Sequence, residues 1–329
     1  MYQVSILVPV YGVEKYIERC ARSLFEQTYE NLEYIFVNDC TPDKSMEILM
    51  RVMEDYPNRK GNVRIFHHEH NRGLSAARNT ALDAATSPFV THVDSDDYLD
   101  CDAIRLMVKK QVETGADIVT GNYYWIDSEG LKKVYEPPCE SPGEMLKMIL
   151  SVHSSANTIW RRLINIRLYR DHAIRPKEGV NYLEDWQQIG MLAYYADKVS
   201  LIPDHIYYYN RINDESYVAA NVNLPSVQFW EQAVESAGII EDFFSDKEAY
   251  RDMARRVVVH VMKTRMSLAA RHRERAFFEK MRDRITTEYA DCYDEVGWDN
   301  SLVRAFMCNY TLNSLYRRLL YGVGKWLHR

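Results

Sequence analysis

The feature that most constrains the fold is a regular alternation of short apolar runs and amphipathic segments over residues 1–120. The segments between the apolar runs carry apolar residues at helical spacing. Continuous apolar runs are typical of strands that are covered on both faces. The sequence therefore predicts an α/β fold with a Rossmann-like, mostly parallel sheet flanked by helices. The runs expected to form strands are Val4–Val8, Tyr34–Val37, Val63–Phe66, Phe89–Val93 and Ile118–Thr120.

The rest of the chain changes character twice. Residues 121–220 mix helical and strand patterns with many aromatic residues, and residues 128–143 are rich in Pro, Gly and charge, which predicts a connecting loop. From residue 221 onward Gly and Pro become rare and helical periodicity dominates. We predict an α/β domain over residues 1–220, with halves 1–120 and 121–220, followed by a helical C-terminal region over residues 221–329.

The composition is that of a globular protein, with 47% hydrophobic and 27% charged residues, which excludes a disordered chain. No apolar run reaches the roughly 18–20 residues that cross a bilayer, and no basic segment precedes the first apolar run. The six cysteines are scattered without a Cys-x-x-Cys pair. We therefore expect a cytoplasmic protein with free thiols. The net charge of −6 arises in residues 1–220, which argues against nucleic acid as a partner.

Polar side chains follow three of the predicted strands. Tyr11 follows the first, Asp39 the second, and a group of three carboxylates, Asp94, Asp96 and Asp97, the fourth. Because ligands of such sheets bind beyond the carboxyl ends of the strands, we expect these residues to converge on one crevice. Three carboxylates in four residues favour a Mg²⁺ or Mn²⁺ site shared with substrate phosphates over a solvated acidic loop. For Asp39 alone, a helix N-cap is the favoured interpretation.

A basic segment, Asn71–Asn79, lies between these acidic positions. Gly73 is predicted to open a helix, and Arg72 and Arg78 flank its first turns. Helix N-termini and arginines both favour phosphate oxygens. A surface helix with ordinary basic residues is the alternative, and the segment taken alone does not decide between the two.

Together these motifs resemble family 2 glycosyltransferases of the GT-A fold. The resemblance rests on VSILVPVYG and IFVNDCTPDKS near the N-terminus, then NRGLSAARNTAL, then VDSDD, in that order over about the first 120 residues. It continues with Glu184-Asp185-Trp186 and with the segment Tyr207–Arg211. One departure is Cys40, where the family usually has Gly. The Gln-x-x-Arg-Trp motif and membrane helices of processive members are absent.

The resemblance implies a role for each matching position. Tyr11 would stack on the nucleotide base and Asp39 would accept a hydrogen bond from it. Asp185 would be the general base. Pro9, Arg72, Arg78 and Asp94 would lie on the donor side. Asp96 and Asp97 would bind the metal ion, and Glu184, Trp186 and Arg211 would lie on the acceptor side.

The resemblance also implies the reaction. It indicates a metal-dependent, inverting transfer of one sugar from a nucleotide sugar, expected to be a UDP-sugar, to a glycan or polyprenyl-phosphate-linked acceptor in cell-surface polysaccharide synthesis. Two alternatives stay open. One is a sugar-nucleotide pyrophosphorylase, and the other is a non-catalytic protein that uses the same fold to bind a nucleotide or glycan.

Three further segments have two interpretations each. Residues 301–329 contain five basic and no acidic residues among apolar residues at helical spacing, which fits either a peripheral membrane contact or a helix packed on the protein or in a homodimer. Trp160-Arg161-Arg162 fits an acceptor contact or a basic surface helix. The histidines at 67, 68 and 70 fit a metal site less well than ordinary strand-end residues.

Overall fold

The computed structural model describes residues 2–151, 156–213, 226–292 and 308–315. The chain divides into two compact units. The first comprises Met1–Ile149 with Ser154–Ala220, and the second comprises Leu150–His153 with Asn221–Arg329.

Four parallel strands form one half of the sheet in the first unit. They are β1 (Val4–Val10), β2 (Leu32–Asn38), β3 (Val63–His67) and β4 (Phe89–His92), in the order β3-β2-β1-β4. Every residue of β1 is buried, because helices cover both faces of this half. The strands predicted from the apolar runs are confirmed here.

Helices alternate with these strands, as the amphipathic segments predicted. On α1, Ile17, Leu24 and Phe25 are buried and charged residues lie on the opposite face, so the helix packs through one stripe. The helices of this half are α1 (Ile17–Phe25), α2 (Ser45–Glu54), α3 (Pro57–Lys60), α4 (Leu74–Ala84) and α5 (Ala103–Thr114).

The other half of the sheet is mixed. Its strands are β5 (Tyr98–Leu99), β6 (Ile118–Asp127), β7 (Gly130–Val134), β8 (Arg162–Asn165) and β9 (Val199–Asn210). β8 runs antiparallel between β4 and β6, β9 is parallel to β6, and β5 closes the far edge antiparallel to β9. The expectation of a mostly parallel sheet therefore applies to the first half only, because chain reversals bring antiparallel strands into the second.

Residues 128–143 are not simply a loop. A tight turn at Ser128-Glu129 lets β7 pair back on β6, and the segment ends in the first residues of α6 (Pro142–Ile149). Two more helices complete the first unit, α7 (Ile166–Asp171) and α8 (Glu184–Tyr195).

The second unit is helical in its described part. It contains α9 (Val227–Phe244), α10 (Glu248–His272), α11 (Arg275–Glu288) and a short 3₁₀ turn (Ala290–Cys292). Among the described residues, no helix combines the length and the apolar character needed to cross a bilayer. Of the segment 301–329, only residues 308–315 belong to the described part of the chain. The predicted membrane or dimer contact of that segment therefore stays a prediction.

Candidate active site

The carboxyl ends of β1 and β2 lie side by side. Val10 pairs with Asn38, and the backbone N–H of Asp39 donates to the carbonyl oxygen of Val10 at 3.1 Å. The next residue, Tyr11, is 49% exposed, so its ring is accessible next to Asp39. Pro9 is buried within β1 and contributes backbone rather than an accessible side chain.

The carboxylate of Asp39 is held by three donors. Its Oδ1 accepts from the backbone N–H of Arg72 at 2.9 Å and from His68 Nδ1 at 2.6 Å, and its Oδ2 accepts from the backbone N–H of Gly73 at 2.8 Å. Asp39 is 3% exposed. A carboxylate has about four acceptor positions, and three of those of Asp39 are taken by these donors from the described part of the chain. The N-cap interpretation of Asp39 is wrong for α2, because its carboxylate binds Arg72 and Gly73 while Asp43 Oδ1 accepts from the N–H of Ser45 at the start of α2, at 3.0 Å.

Cys40 supplies the turn that the resemblance associates with Gly. Its backbone lies in the left-handed region, with φ of +55°. The turn is fixed by neighbouring side chains, since the backbone N–H of Thr41 donates to Asn38 Oδ1 at 2.9 Å and the hydroxyl of Thr41 accepts from the N–H of Gly12 at 2.9 Å. These bonds offset the conformational cost of a non-glycine residue there.

Gly73 begins α4 in a conformation that only glycine suits. Its φ is +88°, and an added Cβ would lie 2.3 Å from Nδ2 of Asn181. Asn181 comes from the segment before α8, and its Oδ1 accepts from the N–H of Ser75 at 3.0 Å. The glycine therefore allows one side chain from 106 residues away to cap this helix.

The acidic loop after β4 is tied to the end of β9. The buried hydroxyl of Tyr207 accepts from the N–H of Asp94 at 3.2 Å and donates to Asp97 Oδ2 at 2.7 Å. The N–H of Asn210 donates to Asp97 Oδ1 at 2.7 Å, and Asp97 is 1% exposed. Asp97 was expected among the metal ligands, and each of its oxygens accepts one of these internal bonds. Its role as a metal ligand stays a prediction. The structure places Asp97 as an anchor of the loop.

Asp96 is the carboxylate of this loop that fits a cation. Its Oδ2 accepts from Asn213 Nδ2 at 2.8 Å. Burial, and then the nearby charge of Asp94, raises the pKa of Asp96 to about 6. A divalent cation would compensate this unfavourable burial of negative charge. The loop is not a preassembled three-carboxylate site, because the described group whose ligand atoms all lie within 4.8 Å of one another is Asp100, Cys101 and Asp102 instead.

Arg78 connects the donor-side loop with the predicted base. It extends from α4 and is 2% exposed. Its Nη2 lies 2.9 Å from Asp94 Oδ1 and 3.4 Å from Glu184 Oε1, and its Nη1 donates to Asp185 Oδ1 at 2.6 Å. Arg78 was expected to bind donor phosphates, but its guanidinium bridges carboxylates from two distant parts of the chain.

Glu184 and Asp185 open α8 inside a buried acidic environment. Burial, and then the charge of Asp185, raises the pKa of Glu184 to about 8. Burial raises the pKa of Asp185 as well, although Arg78 opposes this rise. The Oδ2 of Asp185 also accepts from the backbone N–H of Ile159 at 3.1 Å. Raised pKa values of buried carboxyl groups are typical of sites of proton transfer.

The other predicted acceptor-side and donor-side residues lie elsewhere. Trp186 is buried and donates through Nε1 to the carbonyl oxygen of Ile149 at 2.8 Å, so it holds α8 against α6. Arg211 is exposed and stacks on the ring of Trp125 at 4.2 Å. The Nη2 of Arg72 donates to both carboxylate oxygens of Glu178, at 3.1 and 3.0 Å. In the described part of the chain, none of these three side chains pairs with Arg78 or with the carboxylates that Arg78 bridges.

Sequence reasoning did not identify the residues that fix the site from behind. Tyr207, Asn210 and Asn213 hold the acidic loop, and Ile159 holds Asp185 through its backbone. Tyr207 and Asn210 belong to the Tyr207–Arg211 segment singled out above, which is the signal that could have found them. A backbone donor such as Ile159 leaves no signal in residue type.

The comparisons with known proteins agree with this architecture. The profile described as glycosyl transferase family 2 matches residues 5–170, just over half of the chain. Bacillus subtilis EpsJ, called an uncharacterized glycosyltransferase, is 33% identical over 63% of this chain and 60% of its own length. The poly(ribitol-phosphate) beta-glucosyltransferase of Bacillus spizizenii is 26% identical over 74% of this chain and 36% of its own.

A solved structure shares the fold. Residues 1–349 of S. aureus TarS, crystallised also with UDP and with UDP-GlcNAc, superpose with a TM-score of 0.69. The match covers 96% of this chain and 89% of that one at 20% identity. This likeness confirms the predicted fold class. The chain spans about 60% and 36% of the two curated relatives. With the profile match over more than half of its residues, the chain belongs to glycosyl transferase family 2.

Proposed function

We propose that this protein transfers one sugar from a nucleotide-sugar donor to a hydroxyl group of a cell-surface polysaccharide precursor, with inversion at the anomeric carbon. One observation carries the proposal. Arg78 joins Asp94, which follows the fourth strand of the nucleotide half, to the Glu184–Asp185 pair at the start of α8. The donor-side and acceptor-side carboxylates therefore meet at the buried guanidinium of Arg78. A two-substrate transfer requires the two sides to be this close.

The donor is proposed to be a UDP-sugar. The carboxylate of Asp39 suits a base that presents an N–H, as uracil does, and the exposed ring of Tyr11 lies beside it for stacking. TarS, which shares the fold, was crystallised with UDP and UDP-GlcNAc, and this supports the choice of base. The sugar itself is set by pocket residues that no motif identifies.

A divalent cation is proposed at Asp96, because enzymes of this fold generally use one and the carboxylate fits it. When bound, the cation would neutralise charge on the donor diphosphate as it leaves. Asp94 and Arg78 then orient the donor side of the crevice from α4 and the loop after β4. Tyr207, Asn210 and Asn213 keep the loop in position through their hydrogen bonds.

Asp185 is proposed as the general base. Its carboxylate would take the proton of the acceptor hydroxyl as that oxygen attacks the anomeric carbon. A single displacement inverts the anomeric centre, so an α-linked donor gives a β-linked product. Arg78 on Oδ1 and the Ile159 N–H on Oδ2 fix the orientation of this carboxylate.

The acceptor is proposed to be a glycan or a polyprenyl-phosphate-linked precursor of a cell-wall polymer. The name of the B. spizizenii relative supports a polymer of this kind. The predicted amphipathic character of residues 301–329 would suit an acceptor presented at a membrane surface.

A donor panel tests the proposal. The full chain is incubated with UDP-, GDP- and dTDP-sugars, with Mn²⁺, Mg²⁺ or EDTA, and nucleotide release is measured. We expect release from a UDP-sugar that EDTA abolishes and that Asp185→Asn reduces on the order of a thousandfold while UDP binding stays near that of the wild type. Pyrophosphate-dependent formation of nucleoside triphosphate would indicate a pyrophosphorylase. UDP binding without release from any donor, with a range of glycan acceptors present, would indicate a non-catalytic protein.

A further inference from the structure

A buried group of three charged side chains lies next to Asp185, and the proposed transfer does not use them. Arg161 and Arg162 are both 0% exposed, and Glu136, at the end of β7, is buried with them. Arg161 Nη2 donates to Glu136 Oε2 at 2.7 Å, and Arg162 Nη2 lies 3.6 Å from Glu136 Oε1. Two cations and one anion leave a net positive charge in the interior, where burying charge is costly. Neither the acceptor contact nor the surface helix expected for Trp160-Arg161-Arg162 describes this arrangement.

Arg162 binds backbone carbonyl groups of the segment just before it. Its Nε donates to the carbonyl oxygen of Thr158 at 2.8 Å, and its Nη2 donates to that of Ala156 at 2.7 Å. Its Nη1 donates to the hydroxyl of Thr120 on β6. The guanidinium thereby joins residues 156–158 to the central sheet.

Arg161 fixes the other end of the same segment. Its backbone is left-handed, with φ of +61°, which turns the chain sharply into β8. Its carbonyl oxygen accepts from the N–H of Gly121, and its Nη1 donates to the carbonyl oxygen of Gly121 at 3.0 Å. A non-glycine residue persists in this conformation only when its surroundings over-determine it.

The segment fixed in this way carries the backbone donor of Asp185. Ile159, between the two anchored ends, donates its N–H to Asp185 Oδ2, opposite the guanidinium of Arg78 on Oδ1. Burial, and then the neighbouring Arg161, lowers the pKa of Arg162 to about 10, so Arg162 is charged at neutral pH. Its charge opposes the burial-driven rise in the pKa of Asp185.

We propose that Arg161, Arg162 and Glu136 are positioning residues for the base: they hold residues 156–162 so that the Ile159 N–H fixes the Asp185 carboxylate, and Arg162 adds a favourable charge behind it. The inference rests on the proposed role of Asp185 as general base. Loss of the anchor would lower kcat without weakening donor binding, because none of the three side chains belongs to the donor side. The charged and titratable groups that face Asp185 are Arg78 from α4, Asp94 from the loop after β4, Glu184 from α8, Arg162 from β8 and Tyr169 from α7.

Two variants of Arg162 separate its charge from its hydrogen bonds. Arg162→Met removes both and leaves the neutral pair of Arg161 and Glu136. Arg162→Lys keeps the charge and loses the planar fork. We expect kcat of Arg162→Met to fall on the order of tenfold to a hundredfold with donor KM unchanged. The acidic limb of its kcat–pH profile should move to higher pH by up to about one pH unit. The reason is that Asp185 must be deprotonated to act and has lost a neighbouring cation. Arg162→Lys should have a lower kcat than the wild type but the same acidic limb in its kcat–pH profile.

Arg59 offers a matched control. It is also a buried arginine that donates to backbone carbonyl groups, those of Phe25, Gln27 and Glu30, and it lies on α3, with none of these three partners among the site residues. Arg59→Met should lower the urea midpoint as Arg162→Met does, but leave kcat and the pH profile unchanged.

The outcomes are distinguishable from failure of the proposed function. If Asp185→Asn is inactive while Arg162→Met matches Arg59→Met in kcat and pH profile, the positioning role is overturned and the base assignment stands. If Asp185→Asn turns over like the wild type, the base assignment fails and this inference fails with it. Should Arg162→Met not fold, Arg162→Lys decides alone, and wild-type kcat in that variant overturns the proposal.

Discussion

Replacement of Arg78 by Met should destabilise the protein in a pH-dependent way. The guanidinium makes direct hydrogen bonds of 2.6 Å to Asp185 and 2.9 Å to Asp94, and lies 3.4 Å from Glu184. Breaking a buried ion pair from one side costs about 3–5 kcal/mol, because carboxylates are left buried without compensation. Without the guanidinium, the folded-state pKa values of Glu184 and Asp185, already raised by burial, rise further above their unfolded values.

The sign of the pH effect follows from proton linkage. A group whose folded pKa is raised binds more protons in the folded state, so its contribution to stability falls as pH rises. The unfolded-state pKa values are the same in both proteins and cancel, so the deficit of Arg78→Met should be smaller at pH 5 than at pH 8 and should grow as the pH rises through the raised folded-state pKa values. Because burial and Asp185 already raise the pKa of Glu184 to about 8, the share of the deficit that comes from Glu184 develops only above about pH 8.

Urea unfolding of the full chain at pH 5 and pH 8, followed by fluorescence, measures this deficit. Arg59→Met is the control, because its carbonyl partners do not titrate and its deficit should be the same at both pH values. A lysine ammonium keeps the charge but cannot bridge two carboxylates, so Arg78→Lys should lose about 1.5–3 kcal/mol. An Arg78→Met protein that unfolds at the wild-type urea concentration at pH 8, or loses as much stability at pH 5, would refute this reasoning.

Three further predictions concern the other parts of the site. Asp96→Asn should reduce transfer about a thousandfold or more even in saturating Mn²⁺, and near wild-type kcat in that assay would remove Asp96 from the cation site. Gly73→Ala should lower the free energy of unfolding by about 2–4 kcal/mol, from left-handed strain and the displaced Asn181 cap, and by less in an Asn181→Ala background. A double-mutant cycle in urea that finds no such coupling contradicts the packing argument. Tyr11→Ala should weaken UDP binding by roughly 1–3 kcal/mol, because the stacking on the nucleotide base is lost. Calorimetric titration measures the Kd, and an unchanged Kd would mean that the nucleotide base binds elsewhere.

The first half of the fold was readable from sequence for a physical reason. Strands buried on both faces need unbroken apolar runs, and the helices between them need one apolar stripe, so local pattern and tertiary position agree. In the second half this agreement is lost. β8 begins with the buried Arg162, and β9 contains Pro203 and mixes buried, partly buried and exposed residues without a regular period, so neither has the signature of an interior strand. Their pairing is decided by long-range contacts that no local window contains.

The residue types of the site were predictable, but the orientations of several side chains were not. Arg78 was assigned to phosphate and binds carboxylates, and Asp97 was assigned to the cation and binds Tyr207 and Asn210. In both cases the partner lies on a different part of the chain, up to 113 residues away. A buried charge points toward whichever partner offsets its desolvation, and that partner is known only once the fold is formed.

The bonds from the end of β9 to the acidic loop have a consequence for the order in which the protein takes shape. The parallel strands β1 to β4 and their helices lie early in the chain and can pair while later residues are still being synthesised. Asp97 acquires its partners Tyr207 and Asn210, and Asp96 acquires Asn213, only after β9 has joined β6 across about 80 residues of intervening chain. Loop closure over such separations is slow compared with local pairing. The nascent chain therefore carries all its donor-side motifs well before the acidic loop is fixed, and a fragment ending at residue 198 should fold its parallel strands and bind UDP without responding to Mn²⁺.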